Sequence, residues 1–408
     1  MKILFLSAEP PYPPLNGVRI KTFNLIKGLY ERGHKIHLIS FNRSFANFDK
    51  ITSELKKYCS SMQFFKLSAC PSDLIKNAIY SINSNDVINF RFKSSDFRNA
   101  IIDTVKNTEV DLVHFDLISL THYIKSISKL APSVASINDS YSLWLKNRLL
   151  RLPDCSLESL IEKAYYSATF PLATLYEKSI YNNFEKVHVV SDIDRFYLNR
   201  LNSELDIEVI PNGVDTEYFK PLGLPTDERS LVFVASMNRE NASNIIWFIK
   251  KVFTRISEQL PGMQLYLIGK DPPPELIYAA QRIKGIVLTG YVKDVRPYID
   301  KAALVIDPTV KTCGILNHVL ESMAMGKAIV GTSSSFIAIN RAISWKNVVI
   351  AKNEKEFASN ILYLLNNQAE RKKIGTSARI LVKNNYQWSA IISCYEQMYT
   401  AAIRKFNN

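Results

Sequence analysis

Residues 311–332 read KTCGILNHVLESMAMGKAIVGT, and this stretch decides the fold. The run before it, ALVIDP at 303–308, is short and apolar and ends at a proline, which is typical of a buried strand. Gly326 stands where a helix C-terminus favours positive φ, and AIVGT at 328–332 resumes a strand. The pattern predicts a strand, a loop, a helix over 315–325 and a second strand. In a parallel sheet, the loop and the helix N-terminus then lie at the carboxyl edge, where α/β proteins bind ligands.

One carboxylate, Glu321, lies near the end of this predicted helix among apolar neighbours. An acid there opposes the helix macrodipole, which favours a functional role over a solvated or ion-paired glutamate, although that alternative stays open. Gly314 permits close approach to the first turn, whose free backbone N–H groups suit a phosphate. Glu321 lies about 9 Å further along the axis, since each helical residue rises roughly 1.5 Å. The spacing therefore predicts a carboxylate that meets a hydroxyl pair beyond a bound phosphate.

The start of the chain repeats this architecture. KILFLSA predicts a strand and 17–32 a helix that buries Phe23, Ile26, Leu29 and Tyr30, followed by the strand KIHLISF. Further strands are predicted at 62–67, 111–115, 132–137 and 186–191. After a linker over 209–230, strands alternate with helices at 244–259, 274–283, 294–302 and 315–325. The fold class is therefore α/β, with two doubly wound parallel sheets.

Composition restricts the classes of partner. The chain has 408 residues, is 47% hydrophobic and carries a net charge of +13, which calls for an acidic partner. No zinc finger, RNP motif or basic zipper is present, so nucleic acid is disfavoured. Five scattered cysteines suggest neither a zinc site nor a disulfide framework, and a reducing cytoplasm fits them. A peripheral membrane contact stays open, because 91–100 and 144–152 interleave bases with large apolar side chains; ordinary amphipathic helices are the alternative.

Polar side chains follow the predicted strands of the first half. Asp116, Asp139 and Ser191 stand at the sheet edge that binds ligands, although Asp and Ser at such places are more often helix N-caps. Arg19 lies in a first helical turn, where a cation opposes the dipole unless an anion is shared; a plain surface arginine is the alternative. The preceding loop contains neither GxGxxG nor GxxxxGK[ST], so a dinucleotide site or an NTPase is not indicated.

Four blocks give the chain a family resemblance. They are 10–41 (PPYPPLNGVRIKTFNLIKGLYERGHKIHLISF), 209–221 (VIPNGVDTEYFKP), 267–270 with 287–308, and 314–332. With them the sequence resembles the GT-B glycosyltransferases of the retaining family 4, the glycosyl transferases group 1 type, and within it the bacterial sugar transferases of cell-envelope assembly. The resemblance implies two Rossmann-like domains facing across a cleft. They comprise 1–205, completed by a C-terminal helix at 386–408 that crosses back, and a donor domain at 206–385.

The resemblance also implies a donor site. Glu321 is implied to hold the ribose hydroxyls of a nucleotide sugar, and the loop around Cys313, Gly314 and Ile315 to cradle the diphosphate and the transferred sugar with backbone N–H groups. Tyr291 and Val292 would lie against the base, and Gly17 would face the phosphates. The donor-binding set that it implies comprises Gly17, Arg19, Asn212, Gly213, Asn238, Lys270, Tyr291, Val292, Gly314, Ile315, Leu316 and Glu321. Asp139 and Ser191 are placed on the acceptor side.

Three departures from the family pattern affect the catalytic set. Cys313 replaces a second glutamate eight residues before Glu321, and a buried cysteine is normally a packing residue, so it is not expected to be a nucleophile. Arg239 is the nearest match to an Arg and Lys pair that neutralises the diphosphate, with Lys270 and Lys311 as substitutes by position. His318 stands where many relatives have lysine. The expected catalytic residues are Asp116, Arg239, Lys311 and Cys313.

The expected function is retaining, metal-independent transfer of a sugar from a nucleoside-diphosphate sugar to a glycan or polyprenyl-pyrophosphate-linked acceptor, in bacterial surface polysaccharide synthesis. No cofactor or nucleic acid is expected. A metal is not expected either, because the one DxD, at 192–194, is better explained as a helix cap. The expected location is cytoplasmic, at the inner membrane face. The alternatives are a catalytically silent protein that binds a nucleotide sugar or glycan, and a same-fold enzyme acting on a small acceptor.

Overall fold

The computed structural model describes residues 1–43, 48–67, 87–151, 157–310 and 314–408. They form two compact units, Met1–Pro211 with Ile391–Asn408, and Asn212–Ala390. The sequence placed the first boundary after residue 205. It falls later because Ile207–Val209 forms a strand that pairs with the first sheet. The second boundary also falls later, after Ala390.

The first unit is built on a parallel sheet whose described strands run in the order β3-β2-β1-β4-β5-β6-β7. These strands are β1 (Lys2–Ser7), β2 (Lys35–Asn42), β3 (Ser61–Lys66), β4 (Leu112–Asp116), β5 (Ser133–Asn138), β6 (Lys186–Val189) and β7 (Ile207–Val209). The helices are α1 (Gly17–Glu31), α2 (Phe48–Leu55), α3 (Ser95–Thr108), α4 (Tyr141–Arg151), α5 (Leu157–Ile180) and α6 (Asp192–Leu201), with 3-10 segments at Val87–Phe92, Ile118–Ser126 and Tyr181–Asn183. Ser7 pairs with Ser40 and with Asp116, so the carboxyl ends of these strands are level.

The second unit repeats the arrangement, with described strands in the order β10-β9-β8-β11-β12-β13. They are β8 (Asp227–Val234), β9 (Gln264–Ile268), β10 (Ile286–Gly290), β11 (Ala302–Asp307), β12 (Ile329–Gly331) and β13 (Val349–Ile350). Its helices are α7 (Arg239–Phe248), a π-helical segment (Ile249–Phe253), α8 (Thr254–Gln259), α9 (Pro274–Gln281), α10 (Arg296–Lys301), α11 (Asn317–Ala324), α12 (Ser333–Phe336), α13 (Glu354–Asn366) and α14 (Gln368–Asn385). The predicted α/β class with two doubly wound sheets is confirmed.

Capping side chains explain where the elements begin. The helix predicted at 244–259 begins five residues earlier, because the Asn238 side chain accepts a hydrogen bond of 2.9 Å from the Asn241 N–H.

In α1, Ile26 and Leu29 are buried as expected, but Tyr30 is exposed and Phe23 is only half-buried. Lys21 is buried on that helix instead, which the apolar pattern did not predict.

The last helix, α15 (Trp388–Asn407), completes the first unit, as the crossing-back prediction required. The Tyr399 hydroxyl lies 2.8 Å from His114 Nδ1 in β4, and the Tyr395 hydroxyl lies 3.2 Å from His188 Nε2 in β6. Ile392 packs so closely on Gly28 of α1 that a Cβ there would lie 1.8 Å from the isoleucine side chain. Across the part of the chain that the structure describes, no helix combines the length and apolarity needed to cross a membrane.

Candidate functional site

The loop and first turn of α11 form the centre of the candidate site. Gly314 adopts a φ of 66°, a left-handed conformation that favours glycine, and Ile315 is buried directly after it. The N-cap residue Leu316 makes no side-chain capping bond. Backbone N–H groups of a first helical turn without such a cap can bind an anion.

Glu321 lies one turn further along α11 and is partly exposed. Burial raises the pKa of Glu321 to about 6, and the positive field of His318 opposes this rise. The neighbours Val319, Leu320 and Met323 are buried, which explains the burial of the carboxyl group. A carboxylate with this environment gains much from a hydrogen-bond donor that approaches it, such as a hydroxyl group.

A buried carboxylate under the same turn holds His318. Asp307, the last residue of β11, is fully buried, and its Oδ2 lies 2.5 Å from His318 Nε2. Asp307 Oδ1 accepts hydrogen bonds of 2.9 Å from the Thr309 N–H and the Ser335 hydroxyl. Burial alone would raise the pKa of Asp307, but His318 and Thr309 lower it below its ordinary value. Asp307 is not among the residues predicted from the sequence, where its signal is an acid that closes an apolar strand.

The linker contacts the first residue of α11 through Asn212. Asn212 Nδ2 donates to Asn317 Oδ1 over 2.9 Å, while the buried Asn212 Oδ1 has no hydrogen-bond partner among the described residues. The next residue, Gly213, packs against the indole of Trp388, and a Cβ there would lie 2.5 Å from the ring. The conformation at 212–213 therefore places an unsatisfied amide oxygen beside the first residue of α11.

The remaining predicted donor-side residues follow neighbouring strands. Asn238 and Arg239 follow β8 and begin α7, Lys270 follows β9, and Tyr291 and Val292 follow β10. The side chains of Asn238, Arg239, Lys270 and Tyr291 are exposed, Tyr291 to 71%. Since β10, β9, β8 and β11 are adjacent in that order, these residues share one sheet edge with the α11 loop.

A shallow groove of about 350 Å³ lies against β10 and α9. Its lining ends at Gly290, directly before Tyr291, and includes Thr289 and Gln281 beside apolar side chains.

Lys311 and Cys313, two predicted catalytic residues, lie outside the described residues. Their roles stay predictions.

In the first unit, Arg19 already has an anion. Its guanidinium lies 2.5 Å from Glu9 Oε2, and the Asn16 side chain both caps α1 and donates to Glu9 over 3.1 Å. Gly17 is the first residue of this helix. The anion that the sequence required beside Arg19 is therefore supplied by Glu9, and a phosphate contact by Gly17 or Arg19 stays a prediction.

Asp116, predicted to be catalytic, is fully buried at the end of β4. Its carboxylate lies 2.8 Å from Lys21 Nζ and accepts a hydrogen bond of 2.6 Å from the Thr22 hydroxyl. Lys21 Nζ also donates to Ser136 and Asn138 at the end of β5. Lys21 thus joins the ends of β4 and β5 through Asp116, Ser136 and Asn138, and a catalytic role of Asp116 stays a prediction.

Ser191 caps α6, which is the commoner role for a serine at that place. Its hydroxyl accepts from the Asp194 N–H over 3.3 Å and donates to the Asp194 carboxylate, which in turn accepts from the Ser140 N–H over 2.9 Å. Asp139, directly after β5, is partly exposed. Within the described ranges, no three His, Cys, Asp or Glu side chains come together in a way that could hold a metal ion.

Two family models match the chain. Residues 15–218, half of the chain, match the model described as Glycosyltransferase Family 4, and residues 228–367 match Glycosyl transferases group 1. The chain belongs to glycosyltransferase family 4. The second match spans β11 with Asp307 and α11 with Glu321.

The family 4 chain is also similar to individual proteins. It is 21% identical to an uncharacterized 44.6 kDa protein in the cps region of Klebsiella pneumoniae, over 96% of this chain and 98% of that one. Anabaena HepE in complex with UDP and glucose is 14% identical, with a TM-score of 0.64 over 98% and 99% of the two chains. S. aureus TarM in complex with fondaparinux, alpha-GlcNAc-glycerol and UDP is 12% identical, with a TM-score of 0.68 over 98% and 100%. These likenesses identify the fold as GT-B.

Proposed function

We propose that this glycosyltransferase moves a sugar, with retention of configuration, from a nucleoside-diphosphate sugar to a glycan or polyprenyl-pyrophosphate-linked acceptor in bacterial surface polysaccharide synthesis. The observation that carries the donor assignment is Glu321, a partly exposed carboxylate with a raised pKa, one turn beyond an uncapped helix start. Membership of family 4, the UDP of HepE and TarM and the cps-region relative support the proposal.

Each part of the α11 segment has a role in donor binding. The first-turn N–H groups after Gly314 take the diphosphate, with Ile315 and Leu316 forming the wall of the turn. The Glu321 carboxylate accepts hydrogen bonds from the ribose hydroxyls, which are stronger than neutral ones because the acceptor is charged. Tyr291 and Val292 lie against the base.

The reaction develops negative charge on the leaving diphosphate. The bond between the anomeric carbon and the phosphate oxygen breaks, with its electron pair going to the diphosphate, and the acceptor oxygen bonds to the same face of the sugar. The acceptor proton passes to the departing phosphate oxygen, so no protein nucleophile is required. Fixed N–H donors and nearby cations stabilise this charge by several kcal/mol. Arg239 and Lys270 supply that positive charge from neighbouring strand ends, with Lys311 as a further cation, and neither a metal nor a cofactor takes part.

His318 also contributes to this electrostatic environment. It lies in the first turn of α11, where its Nε2 lies 2.5 Å from the Asp307 carboxylate. His318 stands where many relatives have lysine, and it places a polar ring close to the diphosphate. The acceptor binds on the first unit, where Asp139 lies at the carboxyl end of β5. The protein works in the cytoplasm at the inner face of the membrane.

A donor panel tests the proposal. UDP-, GDP- and dTDP-sugars are titrated into the protein by calorimetry, and release of nucleoside diphosphate is followed with and without acceptor glycans. We expect one donor to bind and to turn over slowly. Glu321→Ala is expected to weaken its binding, while the exposed Glu258→Gln on α8 serves as a matched control. Binding of none of the panel, or equal binding by both variants, would remove the donor site from α11. Binding without turnover by any donor would instead favour a silent sugar-binding protein.

A further inference from the structure

His318 lies where the second sheet reverses its strand order. The chain passes from β8 to β9 and β10 on one side of the sheet and then crosses to β11, β12 and β13 on the other, so the reversal falls between β8 and β11. The imidazole contacts both of these strands. Its Nε2 lies 2.5 Å from Asp307 Oδ2 at the end of β11, and its ring meets the Phe233 ring of β8 edge-on, with centroids 6.0 Å apart. Ligands of open α/β sheets bind in the crevice outside such a reversal.

The contact with Asp307 fixes the position of the proton on the neutral imidazole. Burial raises the pKa of Asp307, but His318 and Thr309 hold it below its ordinary value, so the carboxylate is ionised and only accepts hydrogen bonds. Its Oδ1 already accepts from the Thr309 N–H and the Ser335 hydroxyl, which leaves Oδ2 for the ring. Nε2 therefore carries the hydrogen, and Nδ1 carries the lone pair.

The second ring nitrogen, Nδ1, is available to a ligand. Among the residues that the structure describes, none forms a hydrogen bond with His318 Nδ1. The His318 side chain is 18% exposed, whereas that of Asp307 is fully buried. Because Nδ1 of the neutral ring is an acceptor, its partner must be a donor. A hydroxyl group meets this requirement, and a phosphate oxygen, which is itself an acceptor, does not.

We propose that His318 accepts a hydrogen bond at Nδ1 from a hydroxyl group of the nucleotide donor, and that Asp307 is the positioning residue that orients the ring. This inference rests on the proposed function and adds a second acceptor to the donor site. Glu321 follows His318 by three residues, so the two side chains are neighbours on α11, with Cβ atoms about 5–6 Å apart. The adjacent hydroxyls of a ribose suit two such acceptors, and a hydroxyl of the transferred sugar is the other source of the same chemistry.

Two substitutions of His318 separate the roles of its ring nitrogens. The amide nitrogen of glutamine is as many bonds from Cα as Nε2 is, so His318→Gln keeps a donor for Asp307 but has no acceptor in the place of Nδ1. The amide oxygen of asparagine is as many bonds from Cα as Nδ1 is. His318→Asn therefore keeps an acceptor in that place but does not reach Asp307.

Calorimetric titration at pH 8 with UDP, GDP and dTDP, and with their glucose esters, measures binding, and urea unfolding measures stability. For the nucleotide that the wild type binds best, we expect His318→Gln to weaken binding roughly tenfold while its unfolding midpoint stays near that of the wild type. His318→Asn should bind more tightly than His318→Gln but unfold at a lower urea concentration. A purely structural role of His318 would lower affinity and stability together.

Asp307→Asn tests the positioning role. Because the Thr309 N–H and the Ser335 hydroxyl both donate to Oδ1, the amide oxygen of the asparagine takes that place and its NH₂ group faces His318. Nε2 must then accept, which moves the proton of the neutral ring to Nδ1. We expect donor binding to weaken roughly tenfold, and nitrogen NMR of the ring to report the change of tautomer, which a purely structural role of Asp307 would not produce.

The matched control is His37→Gln at a partly exposed position of β2 in the first unit, which should bind like the wild type. The inference is overturned if His318→Gln binds the nucleotide as tightly as the wild type, or if His318→Asn binds no better than His318→Gln. Equal losses for the nucleoside diphosphate and its glucose ester would place the hydroxyl on the ribose, and a loss for the ester alone would place it on the transferred sugar.

The same titrations distinguish this inference from the proposed function. A wild-type protein that binds none of the nucleotides would overturn both. Binding that Glu321→Ala weakens and His318→Gln leaves unchanged would overturn the role of His318 alone.

Discussion

Replacement of Glu321 by glutamine is expected to separate binding from stability. The folded pKa of about 6 lies above the ordinary value of 4.5, so the folded state holds this proton more tightly than the unfolded one. The group therefore favours folding below about pH 4.5, and this contribution is lost as the pH rises through 6. A difference of 1.5 units corresponds to about 2 kcal/mol of destabilisation at pH 7.5. Glu321→Gln removes the charge, so its free energy of unfolding should equal or exceed that of the wild type.

Binding should change in the opposite direction. Hydrogen bonds to a charged group contribute about 2 kcal/mol, so the variant should bind its nucleoside diphosphate roughly thirtyfold more weakly at pH 7.5. As the pH drops through about 6, wild-type affinity should fall more than that of the variant, because protonation of Glu321 neutralises the acceptor in the wild type alone, whereas the ligand phosphate titrates equally with both proteins. Calorimetric titration of UDP, GDP and dTDP between pH 5 and 8 measures this, with urea unfolding beside it. Equal affinity in the two proteins, with the same pH dependence, would refute the ribose role.

Three further substitutions test the packing around the two sheet edges, each by urea unfolding. Lys21→Met should lower the free energy of unfolding by about 3 kcal/mol or more, because it leaves the buried Asp116 without its cation. His318→Ala should cost about 3 kcal/mol, because the fully buried Asp307 keeps two hydrogen bonds but loses the imidazole that contacts its Oδ2. Gly375→Ala should cost about 2 kcal/mol or more, since the new methyl group would lie 2.0 Å from a backbone carbonyl.

Matched variants make these results specific. Lys27→Met at a partly exposed position of α1 and the exposed Thr376→Ala next to Gly375 should both stay within about 0.5 kcal/mol of the wild type. For the His318 pair, removal of both partners should cost less than the sum of the single losses. Additive losses would mean that His318 and Asp307 do not interact, and a stable Lys21→Met protein would mean that Asp116 does not depend on that lysine.

The sequence predicted the alternation of strands and helices because apolar runs and turn residues are local signals. The helix that contains Glu321 could be predicted too, because the glycines that flank it, Gly314 and Gly326, are also local signals. The Lys21 and Asp116 pair was not, since it joins residues 95 positions apart and a lysine on a helix normally signals solvent. Pairing of Asp307 with His318 depends on how β11 ends beneath α11, which spacing alone does not specify.

Helix α5, on which the apolar side chains of Ile161, Tyr165 and Leu175 are exposed, shows a different limit. Composition drew attention to 144–152 because bases and large apolar residues alternate there. On α5 the comparable apolar residues are interrupted by alanine, serine and proline, so their common orientation appears only on a formed helix. Strand β7, of which only Val209 belongs to the predicted linker, was not predicted, because a three-residue strand leaves almost no periodicity.

The helix that completes the first unit is made after the second unit. Residues 391–408 supply the tyrosine hydroxyls beside His114 and His188, whereas the strands that carry those histidines precede residue 190. During translation the sheet of the first unit is therefore assembled without its cover until the whole second unit has been synthesised. Burial lowers the pKa of His188 to about 3, so a ribosome-bound chain without α15 exposes an imidazole that takes up a proton more readily. The order of synthesis thus makes the first half of this protein the last to reach its native state.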